Sequence, residues 1–193
     1  MSLVPTSAHA AENTVRPRPR LRARIALAAL STTGLAALGW ASFVQPLPRL
    51  VYNPSDSVPV GWYRIAQFQR RPGSLPVGSI VLTRLPADAA ALAAQRGYLP
   101  AHVPLLKRVG AVAPQHVCIA QGQVRIDGVP VAAVLPADRL GRPLSFWLPC
   151  RPLAEGELFL LSATSPASFD SRYFGPVSTS AVIGVARPVW QEP

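Results

Sequence analysis

The chain has 193 residues and an unbalanced charge, because nineteen basic residues face nine acidic ones and leave a net charge of +10. Eighteen of the basic residues are Arg, and Lys107 is the single Lys. The 22 Pro argue against a helical bundle, and the 49% of apolar residues argues against a wholly disordered chain. Two Cys and three His are too few for a zinc ribbon or a disulfide-dense miniprotein, so we expect no metal site.

The positions of the charges decide what the net charge means, since a nucleic acid and an anionic membrane both attract basic proteins. Five Arg lie within residues 16–24, directly before an uncharged segment at residues 25–44. About 20 apolar residues cross the ~30 Å core of a bilayer, and Arg beside such a segment stays cytoplasmic. We therefore expect residues 1–24 to form a disordered cytoplasmic tail, residues 25–44 a transmembrane anchor and residues 45–193 a domain outside the cytoplasm. No nucleic-acid partner is expected.

Other interpretations of this N-terminal region remain open. A cleavable signal peptide usually has a shorter apolar region of about 7–15 residues. A buried core helix of a soluble protein normally carries charge on one face, which residues 25–44 do not. An Arg-rich arm that binds nucleic acid would also explain the basic run, but its position against an apolar segment makes membrane topology the simpler cause.

Short apolar runs between turn residues predict a mainly β domain in the rest of the chain. Asp127-Gly128 between two such runs is typical of a hairpin. The one predicted helix covers residues 88–97, which are Ala-rich and run from Asp88 to Gly97. Many short strands with little helix favour a folded antiparallel sheet or barrel. The predicted strands are residues 62–67, 79–84, 105–112, 116–120, 123–126, 129–133, 158–162 and 182–188.

Cys118 and Cys150 are the only cysteines in the chain. Disulfides persist outside the cytoplasm, whereas thiols inside it are kept reduced. Because the expected topology places both residues outside the cytoplasm, we expect them to form a disulfide. In a cytosolic protein, two free thiols would be the simpler interpretation.

Lys107 has apolar neighbours in Leu105, Leu106 and Val109, which place it on or beside an apolar strand. Burial disfavours the ammonium form and lowers the pKa of a lysine. The neutral amine can then take a proton from a hydroxyl, whereas Arg does not deprotonate. The alternative is a surface Lys left by chance in an Arg-rich composition, and composition alone does not decide between the two.

Ser57 lies in a turn bounded by Pro and Gly, within Asn53-Pro-Ser-Asp-Ser-Val-Pro-Val-Gly-Trp-Tyr63. Such a turn can expose a hydroxyl beside free backbone N–H groups, and Ser–Lys is a known pairing of nucleophile and base. Taken alone, however, the same residue types are typical of an ordinary turn.

Three motifs occur in order along the chain: Ser57-x-Pro-x-Gly-x-Tyr63, Leu-Lys107-Arg-Val and Ser168-x-Asp-Ser-Arg-Tyr-Phe-Gly175. Together they resemble the signal peptidase I superfamily of Ser–Lys proteases. The chain is more closely similar to the TraF-type conjugative-transfer peptidases. The closer resemblance is carried by Asn53-x-Ser-x-Ser-x-Pro-x-Gly-x-Tyr63, Gly97-Tyr-Leu-Pro100, Gly141-Arg-Pro-Leu144 and Ser168-Phe-Asp-Ser-Arg-Tyr-Phe-Gly175.

The resemblance implies a role for each matching residue at the reacting bond. Ser57 matches the nucleophile and Lys107 its general base. Ser55 matches the residue whose hydroxyl helps to form the oxyanion hole, and the backbone N–H of Ser57 would supply the second donor. The resemblance also implies a substrate pocket for small residues such as Ala.

Three further residues match positions that hold the general base in place. Ser168 matches the hydroxyl that orients the lysine, and Asp170 and Arg172 match a structural ion pair behind it. The chain departs from the leader peptidases at Val58, where they usually have Met. Gln115-His116 replaces a common Gly-Asp, which concerns the loop after the base rather than the base itself.

The resemblance implies a membrane-anchored serine endopeptidase that uses no cofactor and processes an exported precursor. The family precedent is maturation of a conjugative pilin, either by cleavage alone or by cleavage followed by head-to-tail cyclisation. The implied place is the inner membrane, with a single span, a cytoplasmic N-terminus and a periplasmic, signal-peptidase-like β domain. A general signal peptidase that removes secretory leaders is an alternative, as is a non-enzymatic scaffold of a secretion channel.

Overall fold

The structure, a computed structural model, describes residues 19–43, 50–68, 75–162 and 164–191. The chain divides into two compact units, Met1–Pro46 and Leu47–Pro193.

The first unit contains a single described element, helix α1 (Pro19–Phe43). Its segment Arg20–Ser42 has a mean hydropathy of 1.4 and is long and apolar enough to cross a membrane. The helix begins earlier than the expected span, because Pro suits the first helical position and Arg and Leu favour the helix that follows. The expected tail from residue 1 to 18, and residues 44–49, lie outside the described residues.

The described part of the second unit is mainly β, and its strands form two antiparallel sheets, as expected. The strands are β1 (Leu50–Asn53), β2 (Gly61–Ala66), β3 (Ile80–Thr83), β4 (Leu105–Val112), β5 (His116–Ala120), β6 (Gln123–Ile126), β7 (Val129–Ala133), β8 (Arg151–Pro152), β9 (Glu157–Leu161), β10 (Val177–Ser178) and β11 (Val182–Gln191). The larger sheet has the order β1-β2-β11-β3-β4-β9-β10, and the smaller one β7-β6-β5-β8.

The predicted helix is present as α2 (Ala87–Gln95), and a one-turn helix that was not predicted, α3 (Ser171–Phe174), lies near the C-terminus. α2 ends before the expected residue 97, because Gly97 has a φ of 71°, which lies outside the helical region. Strands β1, β8 and β10 were also not predicted. β8 and β10 have only two residues each, which is too short to show an alternating pattern.

The hairpin predicted at Asp127-Gly128 is confirmed. Both residues have positive φ, 50° and 82°, which is the requirement of a type I′ turn. The turn pairs Ile126 with Val129 and so joins β6 to β7.

The apolar core positions the strands that carry the site. One cluster fills the space between the sheets, where Val117 and Val124 pack in a group with Ala111, Phe159 and Leu161. A second cluster lies behind the segment between β1 and β2 and contains Val58, Tyr63, Ile65, Leu82, Leu106 and Ala186. Val58 belongs to this segment and the other members come from β2, β3, β4 and β11, so the cluster fixes the segment against the larger sheet.

Cys118 and Cys150 form the expected disulfide, which links β5 to the residue before β8 across a sequence separation of 32. Closing a loop of this length removes entropy from the unfolded chain. The double variant Cys118→Ser/Cys150→Ser should therefore lower the free energy of unfolding by about 3 to 4 kcal/mol. Chemical denaturation of the oxidised full-length protein in detergent measures the difference. Reductant should destabilise the parent protein to the same extent and leave the double variant unchanged; equal stability of both proteins under oxidising conditions would contradict the prediction.

Candidate active site

The segment that carries Ser57 is held in shape by the side chain of Asn53, the last residue of β1. Asn53 is 6% exposed, and its Nδ2 donates to the carbonyl oxygens of Ser55 (2.6 Å) and Val58 (2.9 Å). Its Oδ1 accepts a hydrogen bond of 2.9 Å from Ser55 Oγ. One buried carboxamide therefore closes the loop and also fixes the hydroxyl of Ser55.

Two further residues of the same motif explain why the chain turns here. Gly61 has a φ of 145°, and a Cβ at this position would lie 2.2 Å from the carbonyl oxygen of Trp190, so only Gly fits. Tyr63 is fully buried, and its hydroxyl donates a hydrogen bond of 2.6 Å to the carbonyl of Pro59. The Gly and the Tyr of the motif thus anchor the end of the Ser57 segment to the sheet.

The hydroxyls of Ser55 and Ser57 lie 3.0 Å apart. A hydroxyl has one proton, and Ser55 donates its own to Asn53 Oδ1. In this state the proton between the two serines therefore belongs to Ser57. Ser57 is 7% exposed, so the residue is buried.

Lys107 lies on β4, in the middle of the larger sheet, opposite Val81 of β3. The residue is 3% exposed. Burial lowers the pKa of Lys107 from 10.5 to about 8; the Asp170 carboxylate acts in the opposite direction and the Arg172 guanidinium adds to the lowering. The Nζ atom donates a hydrogen bond to Ser168 Oγ, so the hydroxyl fixes the direction of the amine.

Ser168 is held by a buried ion pair two to four residues further on. Arg172 Nε donates to Asp170 Oδ1 and Arg172 Nη2 to Asp170 Oδ2, both at 2.8 Å, and the two side chains are 1% and 0% exposed. Arg172 also donates to the carbonyl oxygens of Pro166 (2.8 Å) and Ser168 (3.0 Å). The backbone on both sides of the Ser168 hydroxyl is therefore tied to one guanidinium.

The same segment is attached to the sheet through β9 and the residue that follows it. The backbone N–H of Ser162 donates to Asp170 Oδ2 (3.0 Å), and that of Leu160 donates to Ser171 Oγ (2.9 Å). Asp170 also accepts from the backbone N–H of Arg172 and so caps the one-turn helix α3. Ser168 is thus positioned relative to β4 by the strand that pairs with β4.

Four of the expected site residues line one cavity of about 510 Å³, namely Ser55, Ser57, Lys107 and Ser168, whereas Asp170 and Arg172 do not line it. Within the described ranges, no hydrogen bond joins Ser57 to Lys107. The Ser57 hydroxyl is instead hydrogen-bonded to the Ser55 hydroxyl, and the Lys107 amine donates to Ser168 Oγ. Catalytic hydrogen bonds are often long or poorly aligned in sites without substrate, so this arrangement does not exclude a proton transfer between the two. An acyl group in the cavity would meet a hydroxyl nucleophile and an amine of lowered pKa.

Sequence reasoning gave no role to Asn53, although this residue opens the motif that carries the resemblance. An Asn two residues before a Ser-x-Ser turn is the signal that the sequence contains, since Asn side chains commonly bind nearby backbone. Tyr98 and Asp138 also line the cavity and were likewise given no role. They are 40 residues apart, and their hydrogen bond is visible only in the folded chain.

Comparison with known proteins places the chain in a family. Residues 22–190 match the family described as "Signal peptidase, peptidase S26". The chain is 33% identical over 183 residues to a plasmid transfer protein TraF of Escherichia coli, covering 88% of this chain and 95% of that protein. It is 39% identical over 153 residues to the conjugal transfer protein TraF of Agrobacterium tumefaciens, covering 74% and 81%.

Among solved structures, a signal peptidase I from Enterococcus faecalis is similar, with 19% sequence identity and a TM-score of 0.37. The match covers 60% of this chain and 98% of that one. The family assignment rests on the sequence match across nearly the whole chain and on the curated relatives. The chain belongs to the S26 signal peptidases, a family of serine proteases, and within it to the TraF type.

Proposed function

We propose that this protein is a membrane-anchored serine endopeptidase of conjugative transfer, in which Ser57 is the nucleophile and Lys107 the general base. The observation that carries the proposal is the shared cavity. A buried serine and the only lysine of the chain line it together, and the hydroxyl of Ser168 orients the lysine. The family assignment and the names of the relatives support a peptidase that acts in plasmid transfer.

In the first half of the reaction, neutral Lys107 Nζ takes the proton of Ser57 Oγ as this oxygen attacks the scissile carbonyl carbon. The carbonyl π electrons move onto its oxygen, and the Ser55 hydroxyl and the Ser57 backbone N–H stabilise the oxyanion. When the tetrahedral intermediate collapses, the C–N bond breaks, and the leaving amine receives the proton from the Lys107 ammonium. The product is an acyl-enzyme on Ser57 and a neutral base.

The Ser55 hydroxyl has to change partners for this role, because it donates to Asn53 Oδ1 in the absence of substrate. Rotation about one side-chain bond turns its proton from Asn53 toward the oxyanion. Asn53 keeps Ser55 in place through the backbone hydrogen bonds while the hydroxyl turns. Water or an amine then attacks the acyl-enzyme, with Lys107 again as base.

The substrate we propose is an exported precursor, in the first place the pilin of the same transfer system. A chain end held near the acyl-enzyme competes with water because of its high effective concentration, and its attack would join the pilin ends in a ring. Mass spectrometry of the pilin distinguishes the outcomes, since a cyclic product has one water less than the linear one. Processing of secretory leaders instead of the pilin would assign the protein to general signal peptidases.

The proposed location is the inner membrane, with α1 as a single span, the N-terminus in the cytoplasm and the second unit in the periplasm. The length and hydropathy of α1, the Arg run before residue 25 and the Cys118–Cys150 disulfide support this topology.

Replacing either member of the proposed pair should abolish processing. Ser57→Ala removes the nucleophile and Lys107→Ala the base, and each should lower kcat by at least about 10,000-fold. Lys107→Arg should be equally inactive, because it keeps the charge but cannot deprotonate. Cleavage of the co-expressed pilin precursor in membranes is the measurement, with Ser145→Ala, an exposed serine outside the cavity, as the matched control. Processing that survives in the Ser57 and Lys107 variants would refute the proposal.

The pH dependence of cleavage should report the lysine. The active form is the neutral amine, so kcat/KM should rise through pH 8, where Lys107 titrates, and fall about tenfold per pH unit well below it. Asp56 raises the pKa of Lys107, so Asp56→Asn should move the rise in kcat/KM to lower pH. Asp127→Asn serves as the control, since Asp127 does not line the cavity. A profile that is flat from acidic to alkaline pH would contradict the role of Lys107.

Removal of the Asn53 side chain should act through Ser55. Asn53→Ala releases the Ser55 hydroxyl and the loop carbonyls, and the expected loss in kcat is about 100-fold, as for the loss of an oxyanion-hole donor. In a double-mutant cycle, Asn53→Ala should cost less when Ser55 is already Ala, because only the hydrogen bonds to the loop carbonyls are then left to lose. Full additivity of the two changes would show that Asn53 does not act through Ser55.

A further inference from the structure

Two sequence motifs that the proposed reaction does not use meet at the cavity. Tyr98, after the end of α2, and Arg142, in the loop before β8, both donate to Asp138 Oδ2, Arg142 Nε at 2.7 Å. The other carboxylate oxygen, Oδ1, accepts from the backbone N–H groups of Leu140 and Arg142, both at 2.9 Å. One carboxylate thus binds the segment after α2 and organises its own loop.

The two segments are also tied to each other directly. Arg142 Nη2 donates to the carbonyl of Arg96 (3.1 Å), and Arg96 Nη2 donates to the carbonyl of Pro143 (2.9 Å). The Arg142 guanidinium lies 5.5 Å from the centre of the Tyr98 ring. Side chains rather than a strand pairing hold these segments together, so their spacing depends on this cluster, which we call the Asp138 tie: Arg96, Tyr98, Asp138 and Arg142.

The carboxylate at the centre of the tie remains ionised. Desolvation acts to raise the pKa of Asp138, but the hydrogen bonds from Tyr98 and Arg142 outweigh it and hold the pKa well below its usual range. The side chain of Asp138 is 7% exposed. A carboxylate with every oxygen occupied by donors fits a structural role better than a role in proton transfer.

The Asp138 tie forms part of the same cavity as Ser57 and Lys107. Apolar side chains of both segments line the cavity beside it, namely Leu99, Val103, Leu140 and Leu144. The Tyr98 ring lies 5.3 Å from the ring of Phe169, which follows Ser168 in the chain. A change in the tie therefore alters the wall that faces the peptide.

We propose that Asp138 is a specificity-determining residue, which fixes the width of an apolar side-chain subsite for an extended peptide by tying Tyr98 to Arg142. The inference rests on the proposed peptidase activity and adds the element that limits the size of the accepted side chain. With the tie intact, the two segments enclose a subsite of fixed width. With the tie weakened, the segments separate and larger apolar side chains enter.

Asp138→Asn and Tyr98→Phe test this, since both keep the shape of the side chain and weaken the tie. The full-length proteins in detergent are incubated with a peptide mixture in which the positions flanking the scissile bond vary, and cleavage is followed by mass spectrometry. The ratio of kcat/KM for Leu to that for Ala should rise about tenfold at one position, within the range of discrimination that methylene groups supply in apolar pockets. This ratio does not depend on how much enzyme is folded, so a loss of stability does not mimic the effect.

Asp127→Asn is the matched control, because Asp127 also accepts hydrogen bonds, from the backbone N–H of His116 (2.8 Å) and from Gln115 Nε2 (3.1 Å), but does not line the cavity. Its Leu-to-Ala ratio should equal that of the parent protein. An unchanged ratio in both Asp138→Asn and Tyr98→Phe, with cleavage that depends on Ser57, overturns this inference alone. If the parent protein shows no cleavage that depends on Ser57, the proposed function and this inference both fail.

Discussion

The buried ion pair between Asp170 and Arg172 is the interaction on which the rest of the proposed catalytic arrangement depends. Removing two charges from water costs several kcal/mol per ion, and the cost is offset only where the geometry is good and the remaining donors are satisfied. Here the guanidinium meets both carboxylate oxygens and several backbone carbonyls. The pair therefore fixes the segment around Ser168, and through Ser168 it fixes the direction of the Lys107 amine.

Because of the same ion pair, burial is the main influence on the pKa of Lys107. Asp170 raises the pKa of Lys107 and Arg172 lowers it, so their charges largely oppose each other at the amine. A lone buried carboxylate near the amine would favour the ammonium and remove the base. Because the guanidinium stands beside the carboxylate, desolvation remains the largest influence, and the lysine reaches a pKa of about 8.

Much of this could be read from the sequence, for reasons that differ from residue to residue. The Asp127-Gly128 hairpin and α2 follow from local chemistry, and the disulfide followed from topology and compartment. Ser57 has the local signature of an ordinary turn, and only the resemblance singles it out. The Asp138 tie could not be predicted, because its donors come from segments 40 or more residues apart. No local sequence pattern indicates a contact over such a distance along the chain.

The meeting of the two halves of the site depends on the register of the larger sheet. Ser57 precedes β2 and Lys107 lies on β4, with β11 and β3 between these strands. Lys107 shares its face of β4 with the buried residue Val109, whereas a β-bulge between Val109 and Ala111 turns Ala111 to the other face. A shift of one residue would turn every side chain of β4 to the opposite face and bring Arg108 to the place of the lysine. Since Arg does not deprotonate, such a shift would leave the proposed nucleophile without its proposed base. The pairing of Val81 with Lys107 is therefore as much a condition for the proposed chemistry as the lysine itself.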